Sequence, residues 1–199
     1  MRKVQVKFGP WIEDGFNLYR ENFKTLVLAA IFVMVISTVT AFILAGPMLA
    51  GLALVILGLK DNRRPKPEAG MVFKGFDYFV PAFLFIAVWG IAILIASIVL
   101  GIIPLIGQLA SLVMVYGAQA LLMFGLFLIV DKKMDFWSAS QESINTVKGN
   151  FLPFFGLSII AGFIGGIGAI AFGIGIVFTI PIQGCILTVA YRDVFGKGS

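Results

Sequence analysis

Residues 78–130 read YFVPAFLFIAVWGIAILIASIVLGIIPLIGQLASLVMVYGAQALLMFGLFLIV, 53 positions without one Asp, Glu, Lys or Arg. A helix of about 20 apolar residues crosses the hydrocarbon of a bilayer, and a charge held near its centre costs several kcal/mol. A block of this length therefore predicts two lipid-solvated spans. Working outward, residues 25–59 and 151–191 share the property, and all 25 charged residues, 15 basic and 10 acidic, fall in residues 1–24, 60–77, 131–150 and 192–199. Composition agrees: 60% of residues are hydrophobic and 13% charged, where a soluble domain carries about 25% charged residues. The expected fold class is all-α integral membrane, a single transmembrane domain over residues 1–199.

The three blocks share punctuation. Each follows a short polar and aromatic segment, each contains a proline after a long helix-compatible run (Pro47, Pro104, Pro181), and a glycine follows each proline at Gly51, Gly107 and Gly184. Charge returns at Lys60-Asp61, Asp131-Lys132 and Arg192-Asp193. Phe79-Val80-Pro81-Ala82-Phe83 opens the second block much as Phe151-Leu152-Pro153-Phe154-Phe155 opens the third, with proline where a first helical turn tolerates its missing N–H. The pattern predicts three degenerate hairpin repeats, at about residues 10–60, 69–131 and 134–194, hence six transmembrane helices with the prolines marking the turns. On this reading the returns after Pro47 and Pro181 are short, and either cross with snorkelling basic residues or turn back as half-spans.

All charged connections and both termini then lie on one face, which the positive-inside rule assigns to the cytoplasm. The first apolar run is too long for a signal-peptide core and lacks a cleavage site, so the N-terminus is expected to stay on the mature protein. An interfacial amphipathic helix is expected before each hairpin. The first has Trp11, Ile12, Phe16, Tyr19 and Phe23 on its apolar side. The second is a shorter one with Met71, Phe73, Phe76 and Phe79, and the third is capped by Asp135 with Phe136, Trp137, Ser140, Ile144 and Val147 inward.

Little in the chain suggests catalysis. Histidine is absent and Cys185 is the single cysteine, which removes an internal disulfide, a thiolate cluster and the commonest general base. No cofactor or metal is expected. An intramembrane enzyme has the least support, because no intramembrane carboxylate or Ser-Lys pair is present to activate a nucleophile. The net charge of +5 is interspersed with acids between hydrophobic blocks, so the expected counter-charge is lipid headgroups and not nucleic acid.

Three residue sets stand out. Ala161, Gly165, Ala169 and Gly173 recur every four residues, with Gly162 and Gly166 beside them, a small-residue face for close helix packing within the bundle or, alternatively, between two copies of the chain. Gln108, Ser111, Gln119 and Gln183 are polar side chains inside apolar blocks; Gln108 and Gln119, 11 residues or about three helical turns apart, share a face with Ser111 that either bonds between helices or lines a wet path. Arg63, Arg64 and Lys66 form the most basic stretch and point to contact with anionic lipid. Trp89, placed mid-span, is expected to pack inside the bundle.

The run Gly46-Pro47-Met48-Leu49-Ala50-Gly51-Leu52 precedes a basic loop and Phe73-Lys74-Gly75-Phe76. Together with Asn150-Phe151, Gly173-Ile174-Gly175 and Thr179-Ile180-Pro181 through Ala190-Tyr191-Arg192-Asp193-Val194-Phe195-Gly196, it resembles a superfamily of bacterial integral membrane proteins. That superfamily includes YciC-like proteins and the membrane domain attached to some glycerophosphoryl diester phosphodiesterases. The resemblance, over about residues 10–196, implies a six-span protein of the bacterial inner membrane. It carries over no catalytic residues, since the phosphodiesterase activity of some relatives resides in a separate soluble domain. The expected function is a non-enzymatic membrane scaffold or accessory protein that binds lipid or a protein partner, in the membrane or the cytoplasm, through its cytoplasmic face. The alternative is a small transporter or channel for an uncharged or amphipathic solute.

Overall fold

The structure, a computed structural model, describes residues 6–170 and 175–196, without the side chains of residues 169 and 170. The described residues hold nine α-helices and one 3-10 helix, and no strand. In order these are α1 (Phe8–Glu21), α2 (Phe23–Val39), α3 (Ala45–Lys60), the 3-10 segment (Ala69–Tyr78), α4 (Phe79–Gly101), α5 (Ile106–Leu122), α6 (Gly125–Lys132), α7 (Phe136–Lys148), α8 (Phe151–Ile170) and α9 (Ile176–Phe195). Three helical runs are long and apolar enough to cross a membrane: Ala69–Gly101, Ile106–Lys132 and Phe151–Gly168. A fourth is added if α1 and α2, bent by 90° at Asn22, count as one span. The 16 residues of α3 are apolar but reach only about 24 Å at 1.5 Å per residue.

The prolines do not all mark turns. The α2–α3 connection lies at residues 40–44, where Ala41 and Phe42 take positive φ, and Pro47 is the third residue of α3. Pro181 is the sixth residue of α9, which already starts at Ile176. Only Pro104 sits in its turn, followed by Leu105 at φ 60°. A proline in the first turn forfeits an N–H that has no helical partner, so Pro47 signals a helix start as readily as a turn. The return helices are correspondingly longer than the proline positions suggested, and α9 runs for 20 residues.

The second return is interrupted at Met123-Phe124, between α5 and α6. Ser143 of α7 bridges the break: its hydroxyl donates to the Leu121 carbonyl at 2.7 Å and accepts from the Phe124 N–H at 3.3 Å. Asp135 caps α7 by accepting from the Trp137 and Ser138 N–H groups, and bonding to Ser138 holds its carboxyl below the usual carboxylate range. The buried face of α7 is Ala139, Ser140, Ser143 and Val147, while Trp137 is exposed and stacks on Trp89, whose indole N–H donates to Ser140 at 2.8 Å.

All three amphipathic segments depart in part from the faces expected: α7 buries Ser140 and Val147 but turns Trp137 outward and leaves Phe136 and Ile144 half-buried, and α1 keeps the expected Trp11 and Tyr19 inward. In α1, Trp11, Gly15, Leu18 and Tyr19 face inward and Phe23 lies outside. The 3-10 segment buries Ala69, Val72 and Gly75 at its own three-residue period and turns Phe73 and Phe76 outward. Gly51 of α3 and Gly75 let these two backbones touch: a Cβ at Gly51 would fall on the Val72 carbonyl, and one at Gly75 on the Pro47 carbonyl.

Packing is uneven along the bundle. One dense core gathers Trp11, Leu57, Phe124, Leu128, Phe154, Ile186 and Tyr191, and a second joins Leu26, Met48, Val55, Ile56, Val72 and Cys185. Both draw on α3 and α9, which are the central helices. Away from this base the far halves of α4 and α5 carry Ile98, Ile102, Leu105, Ile106 and Leu109, all more than 60% exposed. Isolated exposed apolar residues are ordinary, but a continuous set on a hairpin is surface suited to lipid.

Candidate functional site

Helices α3, α6 and α9 end in charge, and the structure brings those ends together. Asp61 follows α3, Asp131 lies in the last turn of α6 and Arg192 in the last turn of α9. Arg192 donates from Nε and Nη2 to the two carboxylate oxygens of Asp61 at 2.9 and 2.7 Å, and from Nη1 and Nη2 to those of Asp131 at 2.7 and 2.9 Å. The Tyr191 hydroxyl adds a bond to Asp131 at 2.9 Å, and Arg192 Nη1 also reaches the Gly196 carbonyl. All three charged side chains are at most 10% exposed. Two carboxylates against one guanidinium leave a net negative charge, which Arg63, 3.6 Å from Asp61, partly offsets. Lys7 and the Trp11 indole meet Asp193, fastening α1 to the same helix end.

Arg63 belongs to a polar cleft of about 250 Å³ beside this node, lined by Glu21, Asn22, Asn62, Arg63, Arg64 and Lys66 with Gly58, Leu59 and Pro67 as its floor. The loop folds back because Asn62 takes a left-handed conformation, the Arg63 N–H bonds to the Gly58 carbonyl, and Pro67 packs onto Gly58, which has no side chain to obstruct it. Among the described residues Arg64 and Lys66 make no ion pair, so the cleft offers two uncommitted cations and one anchored one against the single acid Glu21. All three basic residues named from the sequence therefore line one space.

The polar side chains of the apolar blocks divide. Gln119 of α5 and Gln183 of α9 face one cavity of about 420 Å³ between α3, α4, α5, α8 and α9, with Ser158 at its wall. Gln108 is exposed and Ser111 half-buried near the start of α5, and neither lines that cavity. The small-residue face of α8 is what admits the two amides. The Gln183 side chain lies against Gly165, Gln119 and Tyr116 approach Gly162, and Ala161 is buried. The Thr179 hydroxyl donates to the Gly165 carbonyl at 2.7 Å, a further link between α8 and α9. Nothing stands near Gly166, and the Ala169 side chain and Gly173 lie outside the described residues. Gly168, against the Gly175 backbone, is a close approach that the four-residue spacing does not reveal.

Among the described residues no group of three His, Cys, Asp or Glu is placed to hold a metal ion. The features that sequence reasoning missed are the ionic node and the Ser143 bridge. The first had a signal, one charge directly after each apolar return, and the second had none. No family model, no curated protein and no solved structure matches the chain.

Proposed function

We propose that this chain is a six-span protein of the bacterial inner membrane, built from the hairpins α2/α3, α4/α5–α6 and α8/α9 as three degenerate repeats, with both termini in the cytoplasm. Membership of the YciC-like superfamily is part of the proposal. Its role is that of a scaffold or accessory protein whose cytoplasmic face recognises anionic lipid headgroups. The observation that carries this reading is the cleft in which Arg63, Arg64 and Lys66 converge beside the buried ends of α3, α6 and α9. With the charged ends on the cytoplasmic side, as proposed, the cluster would meet headgroup phosphates, and each basic residue near an anionic surface contributes about 1 kcal/mol. Each apolar block is also followed by a charged pair, Lys60-Asp61, Asp131-Lys132 and Arg192-Asp193, which supports the repeat.

Retention of phosphatidylglycerol by the detergent-solubilised protein, measured by native mass spectrometry against phosphatidylcholine, tests the proposal. Arg64→Gln combined with Lys66→Gln leaves the Arg63–Asp61 contact in place and is expected to weaken phosphatidylglycerol retention roughly 30-fold, from about 1 kcal/mol per residue. Equal retention by the variant and the parent protein would remove the cleft as the lipid contact.

A further inference from the structure

We infer that the cavity between α3, α4, α5, α8 and α9 binds an uncharged amphipathic lipid of the acylglycerol class, whose hydroxyl and ester groups are held by the side-chain amides of Gln119 and Gln183. The volume, about 420 Å³, falls within the range of ligand pockets, about 300 to 1,000 Å³. Apart from the two amides and Ser158, whose hydroxyl already bonds the Tyr116 and Phe155 carbonyls, the rest of its wall is hydrocarbon and aromatic, with Leu49, Phe85, Trp89, Leu122 and Leu187 prominent, and it holds no Asp, Glu, Lys or Arg. A second, mostly apolar hollow of about 230 Å³ shares Leu49, Phe85, Leu122, Gln183 and Leu187 with it and extends past Leu52, Ala53 and Ile56 of α3, where the acyl chain would lie.

The amides decide the chemistry of the occupant. Among the described residues neither Gln119 nor Gln183 has a hydrogen-bond partner, although both face an apolar space. Gln119 is exposed and Gln183 half-buried, so both amides are open to a group that enters the cavity. A pure hydrocarbon would leave both amides unsatisfied. A phosphate or carboxylate would be buried without a counter-charge, which is costlier still. Two primary amides offer donors and acceptors but no charge, and they complement a hydroxyl or carbonyl. The Gly162 and Gly165 notches, which seat the two side chains against α8, hold them at this wall. The site shares no residue with the basic cleft, so it is independent of the headgroup contact, but it rests on the bundle being embedded in lipid.

The experiment uses the full chain in phosphatidylcholine nanodiscs and a monooleoylglycerol probe with a diazirine in its acyl chain. Saturable labelling of the peptides that carry Trp89 and Leu187 is expected, with competition by unlabelled monooleoylglycerol and none by lysophosphatidic acid. Gln119→Leu with Gln183→Leu should cut labelling about tenfold or more, one decade corresponding to about 1.4 kcal/mol. Gly90→Leu should abolish it. Gly90 lines the cavity, is exposed, and a Cβ added there would meet nothing within 4 Å, so this variant is expected to fold while narrowing the cavity and keeps the test open if the glutamine variant misfolds. Labelling confined to the exposed α4–α5 hairpin, indifference to Gly90→Leu, or equal competition by the phosphorylated lipid would overturn the assignment. Extraction of the protein from membranes by alkaline carbonate would show instead that the embedding fails, and it is read before any probe is added.

Discussion

Arg192→Met is expected to be the most damaging single substitution in the charged base, destabilising the protein by about 3–5 kcal/mol, the range for removing one partner of a buried ion pair. The guanidinium makes four bonds to Asp61 and Asp131, whose side chains are 10% and 2% exposed, so its loss strands two carboxylates side by side. The same argument says what should rescue the variant. Adding Asp61→Asn and Asp131→Asn to Arg192→Met leaves no uncompensated charge and should recover most of the lost stability. Thermal unfolding of the purified proteins in detergent reads both effects. A melting curve for Arg192→Met that overlays the parent would show that the node contributes nothing to the bundle.

The second large effect is expected at Gly51 and Gly75. Adding one methyl at either position places it on backbone atoms of the facing element, the Val72 carbonyl in one case and the Pro47 carbonyl in the other. No flexible side chain is available to move aside, so α3 and the 3-10 segment must separate. Overpacking of this kind costs typically about 1–3 kcal/mol and occasionally more, and backbone contact puts these two sites at the upper end. Gly166→Ala is the matched control: it sits in a helix with nothing near its Cβ, and helix propensity alone favours alanine by about 1 kcal/mol. Gly51→Ala and Gly75→Ala should therefore melt well below Gly166→Ala. Equal melting temperatures for the three would mean that α3 and the 3-10 segment are not in backbone contact.

Much of the helical organisation was legible because the physics behind it is local. Exclusion of charge from residues 25–59, 78–130 and 151–191 marks apolar helices directly, and Asp135 announces the start of α7 by the ordinary capping rule. Proline was ambiguous for an equally local reason: Pro47, in the first turn of α3, suits a helix start as well as a connection, whereas Pro181 lies inside α9, past its first turn, where a proline forfeits a helical N–H bond and so reads from the sequence as a break. What did not read from the chain is long-range. Arg192 meets partners 61 and 131 positions away, and no periodicity selects those two acids from the ten available. Gly15, Gly51 and Gly75 look like ordinary helix-weakening glycines until α9, the 3-10 segment and α3 are set against them. Among the polar residues of the apolar blocks, spacing linked Gln108 with Gln119, because 11 residues make about three helical turns. The fold pairs Gln119 with Gln183 instead, since α8 offers glycine notches to α5 and α9 together.

The orientation of the hairpins is the claim on which the functional reading depends, and cysteine accessibility in intact cells measures it most directly. The native Cys185 is fully buried and can stay. Single cysteines at Phe42 and Ile103, in the two turns far from the charged base, should react with a membrane-impermeant maleimide added outside the inner membrane. Cysteines at Lys66 and Lys133 should react only after the membrane is permeabilised. Labelling of Lys133→Cys from the outside in sealed cells, with Ile103→Cys protected, would contradict the topology and with it the cytoplasmic placement of the basic cleft.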